Sequence, residues 1–148
     1  MTAMTDTTTG MPVIDRYYAA VNGRDWPAYD EIFTTDAVLE GPGGVTGTGP
    51  DAMRAFDSGF AAAASDFRLT ALAIYAQGDR VACELQATGT HDGPLTTPQG
   101  VVDGTGNRVE VKGIGAFELR GGRIAAQRVY FDRLALLEQV AAAPAAAR

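Results

Sequence analysis

The sequence predicts one α+β domain in which a curved antiparallel sheet packs on three helices near the N-terminus. Apolar residues recur at helical spacing in the first 60 or so positions, and after Ser65 the apolar period changes to two. Gly113 and Gly115 interrupt a late strand, where we expect a sharp bend or a bulge. A chain of 148 residues can bury a core and enclose a cavity. A sheet curled around helices forms a cone with an open apolar end.

Three amphipathic helices account for the first part of the chain. The apolar residues of the first are spaced i, i+3, i+4 and i+7: Ile14, Tyr17, Tyr18 and Val21. Gly23 is expected to end this helix, and Asp25 can cap the second. The apolar face of the second helix consists of Trp26, Tyr29, Ile32 and Phe33. The third opens near Thr48 and buries a stripe made of Met53, Phe56 and Phe60.

Strands are predicted from the alternation of apolar and polar residues. "DAVLEGPGG" indicates a short strand before the third helix, and four long strands follow Ser65 as a meander. The dipeptides "GD" at 78–79 and "GG" at 121–122 predict tight turns between neighbouring strands. "PLTTPQGVVDGTGN" is expected to be a long polar loop. One face of the sheet alternates cleanly, which favours packing on helices.

Composition excludes several classes of function. The chain has 12 basic and 18 acidic residues, a formal charge of −6, and no basic cluster, so nucleic acid is not an expected partner. Cys83 is the one cysteine, so no intrachain disulfide can form. No second histidine accompanies His91 at ligand spacing, and we expect no metal site.

Neither a signal peptide nor an apolar run of membrane-spanning length is recognisable, which favours a soluble cytoplasmic protein with no membrane partner. Residues 1–10 are polar and rich in threonine, and we expect a disordered lead there. The tail, 141–148, is expected to fray as well. Residues 11–140 would then form the single domain.

Asp132 is the leading candidate for chemistry. It stands between the apolar end of a strand, "RVYF", and the start of a leucine-rich helix, "RLALLEQ". If Ile124 points inward, residues at even positions along this strand do so too, and Asp132 faces the cavity unless a bulge intervenes. There it could act as a general base with a pKa raised by desolvation. The alternative is that Asp132 caps the following helix.

The other candidate ligand-binding residues each have a structural alternative. Tyr17 could donate into the cavity or pack on the sheet, Trp26 could line the pocket or belong to the core, and Glu40 could be a second acid or a solvated turn residue.

Three further candidates come from the strand ends. Arg128 could bind a carboxylate or enolate oxygen, pair with an acid such as Glu40, or be turned outward by a bulge. His91 could lie at the cavity rim or stabilise a turn. Tyr130 shares the face of Arg128 and could reach the cavity with it.

The chain resembles the SnoaL-like polyketide cyclases of the NTF2-like superfamily from about Val13 to Val140. The resemblance rests on four segments: "YYAAVNGRDWPAYDEIFTTDAVLEGPGG", "ATGTHDGPL", "NRVEVKGIGAFELRGGRIAAQRVYFD" and "RLALLEQV". It implies a cone with a deep cavity, frequently a homodimer, and cofactor-free aldol ring closure in secondary metabolism such as antibiotic biosynthesis. It assigns the acid/base role to Asp132 and implies a hydrophobic, polycyclic small-molecule substrate.

The sequence departs from that family at identifiable positions. Arg128 and Val129 stand where these cyclases usually carry Trp and often His. Steroid isomerases of the same superfamily use a tyrosine that Tyr17 matches, but Gly41 and Gly115 stand where their two acids are expected.

The leading hypothesis is therefore a carboxylate-dependent polyketide cyclase. Two alternatives remain open: an epoxide hydrolase or hydratase that uses Asp132 and Glu40, and a noncatalytic small-molecule-binding module.

Overall fold

A computed structural model describes residues 9–142. The helices are α1 (Pro12–Gly23), α2 (Tyr29–Ile32, preceded by a 3₁₀ turn at Trp26–Ala28), α3 (Gly49–Ala63) and α4 (Arg133–Ala141). The strands are β1 (Phe33–Gly41), β2 (Val45–Thr48), β3 (Arg68–Gln77), β4 (Arg80–Thr90), β5 (Leu95–Thr97), β6 (Gly100–Val102), β7 (Arg108–Arg120) and β8 (Arg123–Phe131). Disorder was predicted for residues 1–10 and 141–148. Of these, only 9, 10, 141 and 142 are among the described residues.

The main sheet has six strands in the order β2-β1-β8-β7-β4-β3. The four long strands form the predicted antiparallel meander, while β1 joins its edge by pairing parallel to β8. The predicted α+β architecture, a curved sheet packed on helices, is confirmed. The segment expected to be a long polar loop contains a small separate hairpin, β5 with β6.

Aromatic side chains at the centre of the core join the helices to the sheet. Tyr17 of α1 lies edge-on to Tyr29, Phe33 and Phe117, with ring centroids 5.3 to 6.1 Å apart. All four side chains are buried, and burying a large apolar side chain contributes roughly 1.5–3 kcal/mol. This cluster fixes α1 and α2 against β1 and β7, and thereby sets the position of the Tyr17 hydroxyl.

A bulge in β8 decides which residues face the helices. Leu119 pairs with Ile124 but Glu118 pairs with Ala126, so Ala125 is an extra residue in the strand. An extra residue reverses the alternation beyond it. From this point the odd-numbered residues point toward the helices, and the parity expected from Ile124 is wrong.

The bulge that was one expectation for Gly113 and Gly115 is not present, and both glycines have a steric role. Pairing of β7 is continuous on both sides through 113–115, so no bulge lies there. A Cβ atom on Gly113 would lie 2.6 Å from the Tyr130 carbonyl oxygen, and one on Gly115 would lie 3.0 Å from the Phe117 ring. These glycines therefore allow close approach of neighbouring groups.

Two smaller features complete the description. Arg24, rather than Gly23, takes the left-handed conformation after α1, with φ of 58°, and its guanidinium donates to the Val21, Ser65 and Phe67 carbonyls. Within residues 9–142, no helix combines the length and the apolar character needed to cross a membrane.

Candidate active site

An apolar cavity of about 110 Å³ lies between the sheet and the helices α1, α3 and α4. Its walls are mostly apolar side chains, among them Phe60, Phe67, Leu85, Val111 and Val129. Among the described residues that line it, Asp57 is the one acid and His91 the one histidine. The cavity therefore presents few polar groups, each in a low-dielectric setting.

Asp57 is held in this cavity by two tyrosine hydroxyl groups. The Tyr17 hydroxyl donates to Asp57 Oδ2 at 2.8 Å, and the Tyr29 hydroxyl donates to the same oxygen at 2.7 Å. Gln127 Nε2 in turn donates to the Tyr17 oxygen at 2.9 Å. Because both tyrosine hydroxyl groups donate to Oδ2, Oδ1 is the oxygen left for a ligand.

Burial dominates the electrostatics of this cluster. Asp57 is 4% exposed, and desolvation raises the pKa of its carboxyl to about 6, against the hydrogen bonds from Tyr29 and Tyr17, which lower it. Burial and the neighbouring Asp57 charge raise the pKa of both tyrosines well above the ordinary value, so their hydroxyl groups remain donors. A carboxyl with a pKa near 6 is suited to act as a general base at neutral pH and to return the proton.

Asp57 was missed by sequence reasoning, although a signal was present. It lies four residues after Met53 and one after Phe56, on the stripe that α3 buries. A charged residue at an i+4 position of a buried stripe is rarely buried unless it is paired or functional. Gln127 was missed because the bulge that turns it inward is not readable from the strand pattern.

Asp132 does not face the cavity. Its side chain is exposed, and its Oδ1 accepts a hydrogen bond from the Ala135 backbone N–H at 2.9 Å, which caps α4. The predicted cavity position of Asp132 is therefore wrong, because the extra residue in β8 turns even-numbered positions away. Its contacts match the alternative interpretation, in which Asp132 caps the following helix.

Glu40, Arg128 and Tyr130 lie on the opposite face of the sheet. Arg128 Nη1 donates to Glu118 Oε2 at 2.7 Å, and Arg128 Nε lies 3.5 Å from Glu40 Oε2. Glu40 is exposed, and Tyr130 is 58% exposed. The predicted cavity positions of Arg128 and Tyr130 are wrong for the same reason as that of Asp132, and Arg128 shows both an outward turn and an acid partner. The predicted cavity position of Glu40 is wrong because Glu40, on β1, alternates with the buried Leu39 and pairs with Arg128 on the outer face.

The structure brings Tyr17 and His91 to the cavity wall but not Trp26. Tyr17 both packs in the core and presents its hydroxyl to Asp57, so its two alternatives hold together. Trp26 is half-buried and packs edge-on against Tyr29, with ring centroids 5.7 Å apart. It therefore supports a tyrosine that holds Asp57 and does not itself line the cavity.

A second, outer cavity of about 260 Å³ adjoins the first. It lies between the β1–β2 turn, α3, the β5–β6 hairpin and α4. The residues common to both cavities are apolar: Phe56, Phe60, Leu95, Phe131 and Leu136. These side chains form the boundary between the two cavities.

The described residues contain no group of three or more His, Cys, Asp or Glu side chains that could hold a metal ion. Chemistry built from the chain's own groups in this cavity therefore centres on Asp57, its tyrosines and His91.

Comparison with known proteins identifies relatives of this architecture. The family model described as SnoaL-like polyketide cyclase matches residues 12–140. No curated protein sequence matches the chain.

Solved structures match over most of both chains. A candidate SnoaL-like polyketide cyclase from Jannaschia sp. CCS1 has a TM-score of 0.80 and 20% identity, covering 90% of this chain and 92% of that one. IdmH from Streptomyces antibioticus, described as a candidate polyketide cyclase, has a TM-score of 0.75 and 25% identity, covering 88% and 97%. A Catenulispora acidiphila protein with a ketosteroid isomerase-like fold has a TM-score of 0.73 and 22% identity, covering 90% and 94%.

Proposed function

Because the chain belongs to the SnoaL-like polyketide cyclase family, we propose that it is a cofactor-free cyclase in which Asp57 closes a ring by an intramolecular aldol reaction. The substrate would be a polyketide-like intermediate. A setting in cytoplasmic secondary metabolism, such as antibiotic biosynthesis, is part of the same proposal. The family description, which names polyketides, supports the secondary-metabolic part of this setting.

One observation carries the proposal: a single buried carboxyl, Asp57, lies in an apolar cavity with one oxygen bound by two tyrosines and a pKa raised to about 6. A methylene between two carbonyl groups is an unusually acidic carbon. A carboxylate of this basicity, held at a fixed position beside the substrate, is sufficient to remove its proton. Tyr17 and Tyr29 orient the carboxylate and stabilise its charge.

The reaction balances without another reagent. Asp57 Oδ1 takes the methylene proton, and the electron pair left on carbon forms a new bond to a second carbonyl carbon of the same molecule. The π electrons of that carbonyl move to its oxygen, which becomes an alkoxide. The protonated Asp57 then gives the proton to the alkoxide and returns to the carboxylate form.

The cavities support binding of a hydrophobic substrate with more than one ring. Ligand pockets usually measure about 300–1,000 Å³. The inner cavity, of about 110 Å³, is smaller than this, and so is the outer one, of about 260 Å³. We therefore propose that the reacting carbon enters the inner cavity and the remaining rings occupy the outer one. Confinement by apolar walls would fold the substrate so that its two reacting carbons meet.

The hydrolase or hydratase alternative loses its main support. It required Asp132 and Glu40 to activate water together, and both lie outside the cavity. A binding-only module would be favoured if Arg128 and Tyr130 filled the cavity, but both lie on the outer face of the sheet. Absence of any catalysed proton exchange in the test below would leave binding as the function.

Formation of a homodimer through the outer face of the sheet is also part of the proposal. Ile114 pairs with Tyr130 across β7 and β8, and these two side chains are 43% and 58% exposed. An exposed apolar patch on a sheet commonly marks an interface. We expect light scattering to give twice the 15.5 kDa chain mass, and Ile114→Glu to give the single-chain mass. The control is Leu134→Glu, an exposed position on α4 that should leave the dimer intact.

Proton exchange tests the catalytic proposal directly. A synthetic 2-alkyl β-ketoester with an aryl group has one acidic hydrogen, and lacks the second ketone needed for ring closure. The wild-type protein in D₂O should accelerate replacement of that hydrogen, followed by proton NMR, and Asp57→Asn should not. Exchange at the wild-type rate in a folded Asp57→Asn protein would contradict the proposal.

A further inference from the structure

His91 lines the inner cavity together with the polar residues Tyr17, Tyr18, Asp57, Thr88 and Gln127, and it is 2% exposed. The Thr105 backbone N–H donates to His91 Nδ1 at 3.2 Å, and the Thr105 hydroxyl lies 3.0 Å from the same nitrogen. A nitrogen that accepts from a backbone N–H carries no proton of its own. The ring proton is therefore on Nε2, and the loop at Thr105 fixes this tautomer.

The Nε2–H group has no hydrogen-bond partner among the described residues. A buried donor without an acceptor is destabilising, and such groups in native proteins are rare. His91 lines the same cavity as Asp57, but Nε2 itself is closed off from water, so an acceptor atom of a bound ligand reaches it through a small shift of neighbouring side chains.

The backbone separates His91 from Asp57 along the length of α3. The Asp92 and Gly93 N–H groups both donate to the Ala63 carbonyl, at 3.1 and 3.0 Å, which ties the residues after His91 to the end of α3. Asp57 lies on the same helix, about 9 Å before Ala63 along the axis at 1.5 Å per residue. The cavity wall between the two residues is apolar and includes Phe60 and Val111.

We propose that His91 Nε2–H binds a carbonyl oxygen of the substrate at the end remote from the carbon that Asp57 deprotonates. The substrate is then a flat apolar molecule with oxygen functions at both ends of the part that enters the inner cavity. This inference rests on the proposed ring closure, and it assigns His91 a positioning role: it sets which carbon of the substrate reaches Asp57.

The first test uses the wild-type protein without a variant. Because the chain has one histidine, protein labelled with ¹⁵N-histidine gives a single pair of ring nitrogen signals. We expect Nε2 to carry the proton, and its proton signal to move when 6-hydroxy-2-naphthaldehyde is added to saturation. A proton on Nδ1, or an Nε2–H signal unchanged by the bound aldehyde, overturns the proposal.

The second test measures affinity by calorimetry for a matched pair of probes. 6-Hydroxy-2-naphthaldehyde has a carbonyl where 6-vinyl-2-naphthol has an apolar group of nearly the same shape. One buried hydrogen bond of about 1.4 kcal/mol corresponds to about tenfold tighter binding of the aldehyde by the wild-type protein.

His91→Phe should reduce this preference for the aldehyde to near unity while the vinyl compound binds as before. An undiminished preference in a folded His91→Phe protein overturns the proposal. Loss of proton exchange in Asp57→Asn is a separate measurement, so failure of the His91 assignment and failure of the proposed reaction are distinguishable.

Discussion

Asp57 and Asp132 have the same side chain, but the fold gives them opposite environments. Asp57 is 4% exposed, lies mid-helix and accepts two tyrosine hydroxyl groups, whereas Asp132 is exposed and accepts a backbone N–H at the start of α4. Desolvation raises the pKa of Asp57 to about 6. The difference teaches that surroundings, and not the position of an acid at a strand end, determine which carboxyl can exchange protons with an apolar guest.

The largest expected effect comes from replacing each acid in turn. On a β-ketoester that carries a second ketone within reach, Asp57→Asn should lower kcat for ring closure by about 10³, because general base catalysis is lost. Asp132→Asn should change it less than about twofold, since an asparagine side chain also caps helices. Product formation followed by mass spectrometry measures both. The reverse order of effects would return the catalytic role to Asp132.

The second largest expected effect is the pH dependence that Asp57 gives to stability. The Asp57 carboxyl has an ordinary pKa of 3.8 when unfolded and about 6 when folded, so between these values the folded chain keeps a proton that the unfolded chain has lost. Its stabilising contribution is present below pH 3.8 and is lost as the pH rises through 6, about 3 kcal/mol in total.

Denaturant unfolding at pH 4 and pH 7 measures this contribution. The stability of Asp57→Asn relative to the wild type should rise by about 2.4 kcal/mol between the two pH values, because a small part of the total is already lost at pH 4. In the exchange assay, the wild-type rate should rise with pH and level off above about 6. A relative stability of Asp57→Asn that does not change with pH would contradict the burial of a titrating carboxyl.

Substitution of the two tyrosines that bind Asp57 should distinguish two roles: stabilising the carboxylate and contacting the substrate. Tyr29→Phe removes a hydrogen bond that lowers the pKa of Asp57. The exchange rate should therefore rise at a higher pH than in the wild type, while KM stays unchanged. Tyr17→Phe should also shift the pH at which the rate rises to a higher value. In addition it should raise KM, because Tyr17 lines the cavity and Tyr29 does not. At pH 6 each variant should lose about tenfold in rate. Equal KM values in both variants would contradict the prediction that Tyr17 contacts the substrate and Tyr29 does not.

Much of the fold follows from patterns visible in the sequence, and the site follows only in part. The helical spacing of Ile14, Tyr17 and Val21, and the alternation in β4 and β7, directly reflect which faces are buried. Tyr17 and His91 were found as candidates because their types suit chemistry. Their contacts with Asp57 and Thr105 join elements far apart in the chain, which no local pattern specifies.

The bulge at Ala125 explains the main error. One extra residue exchanges the two faces of a strand at small energetic cost, and nothing in "RIAAQRVYFD" marks it. It turns Gln127 toward Tyr17 and turns Arg128 toward Glu118. Asp57 was readable in principle, because a charged residue on the buried stripe of α3 calls for an explanation.

The smallest expected effect tests the structural role of Asp132. Asp132→Ala removes the side-chain cap of α4 and should lower the free energy of unfolding by about 1 kcal/mol, or Tm by roughly 2–4 °C for a domain of this size. Asp132→Ser retains a capping oxygen and serves as the matched control, with Tm close to the wild-type value. Scanning calorimetry measures both variants. Because Leu136 and Val140 of α4 line the inner cavity while Asp132 does not, affinity for 6-vinyl-2-naphthol should stay within about twofold as long as α4 remains folded. A loss of exchange activity in Asp132→Ala that Asp132→Ser does not restore, at unchanged Tm, would mean that the carboxyl acts on the substrate after all.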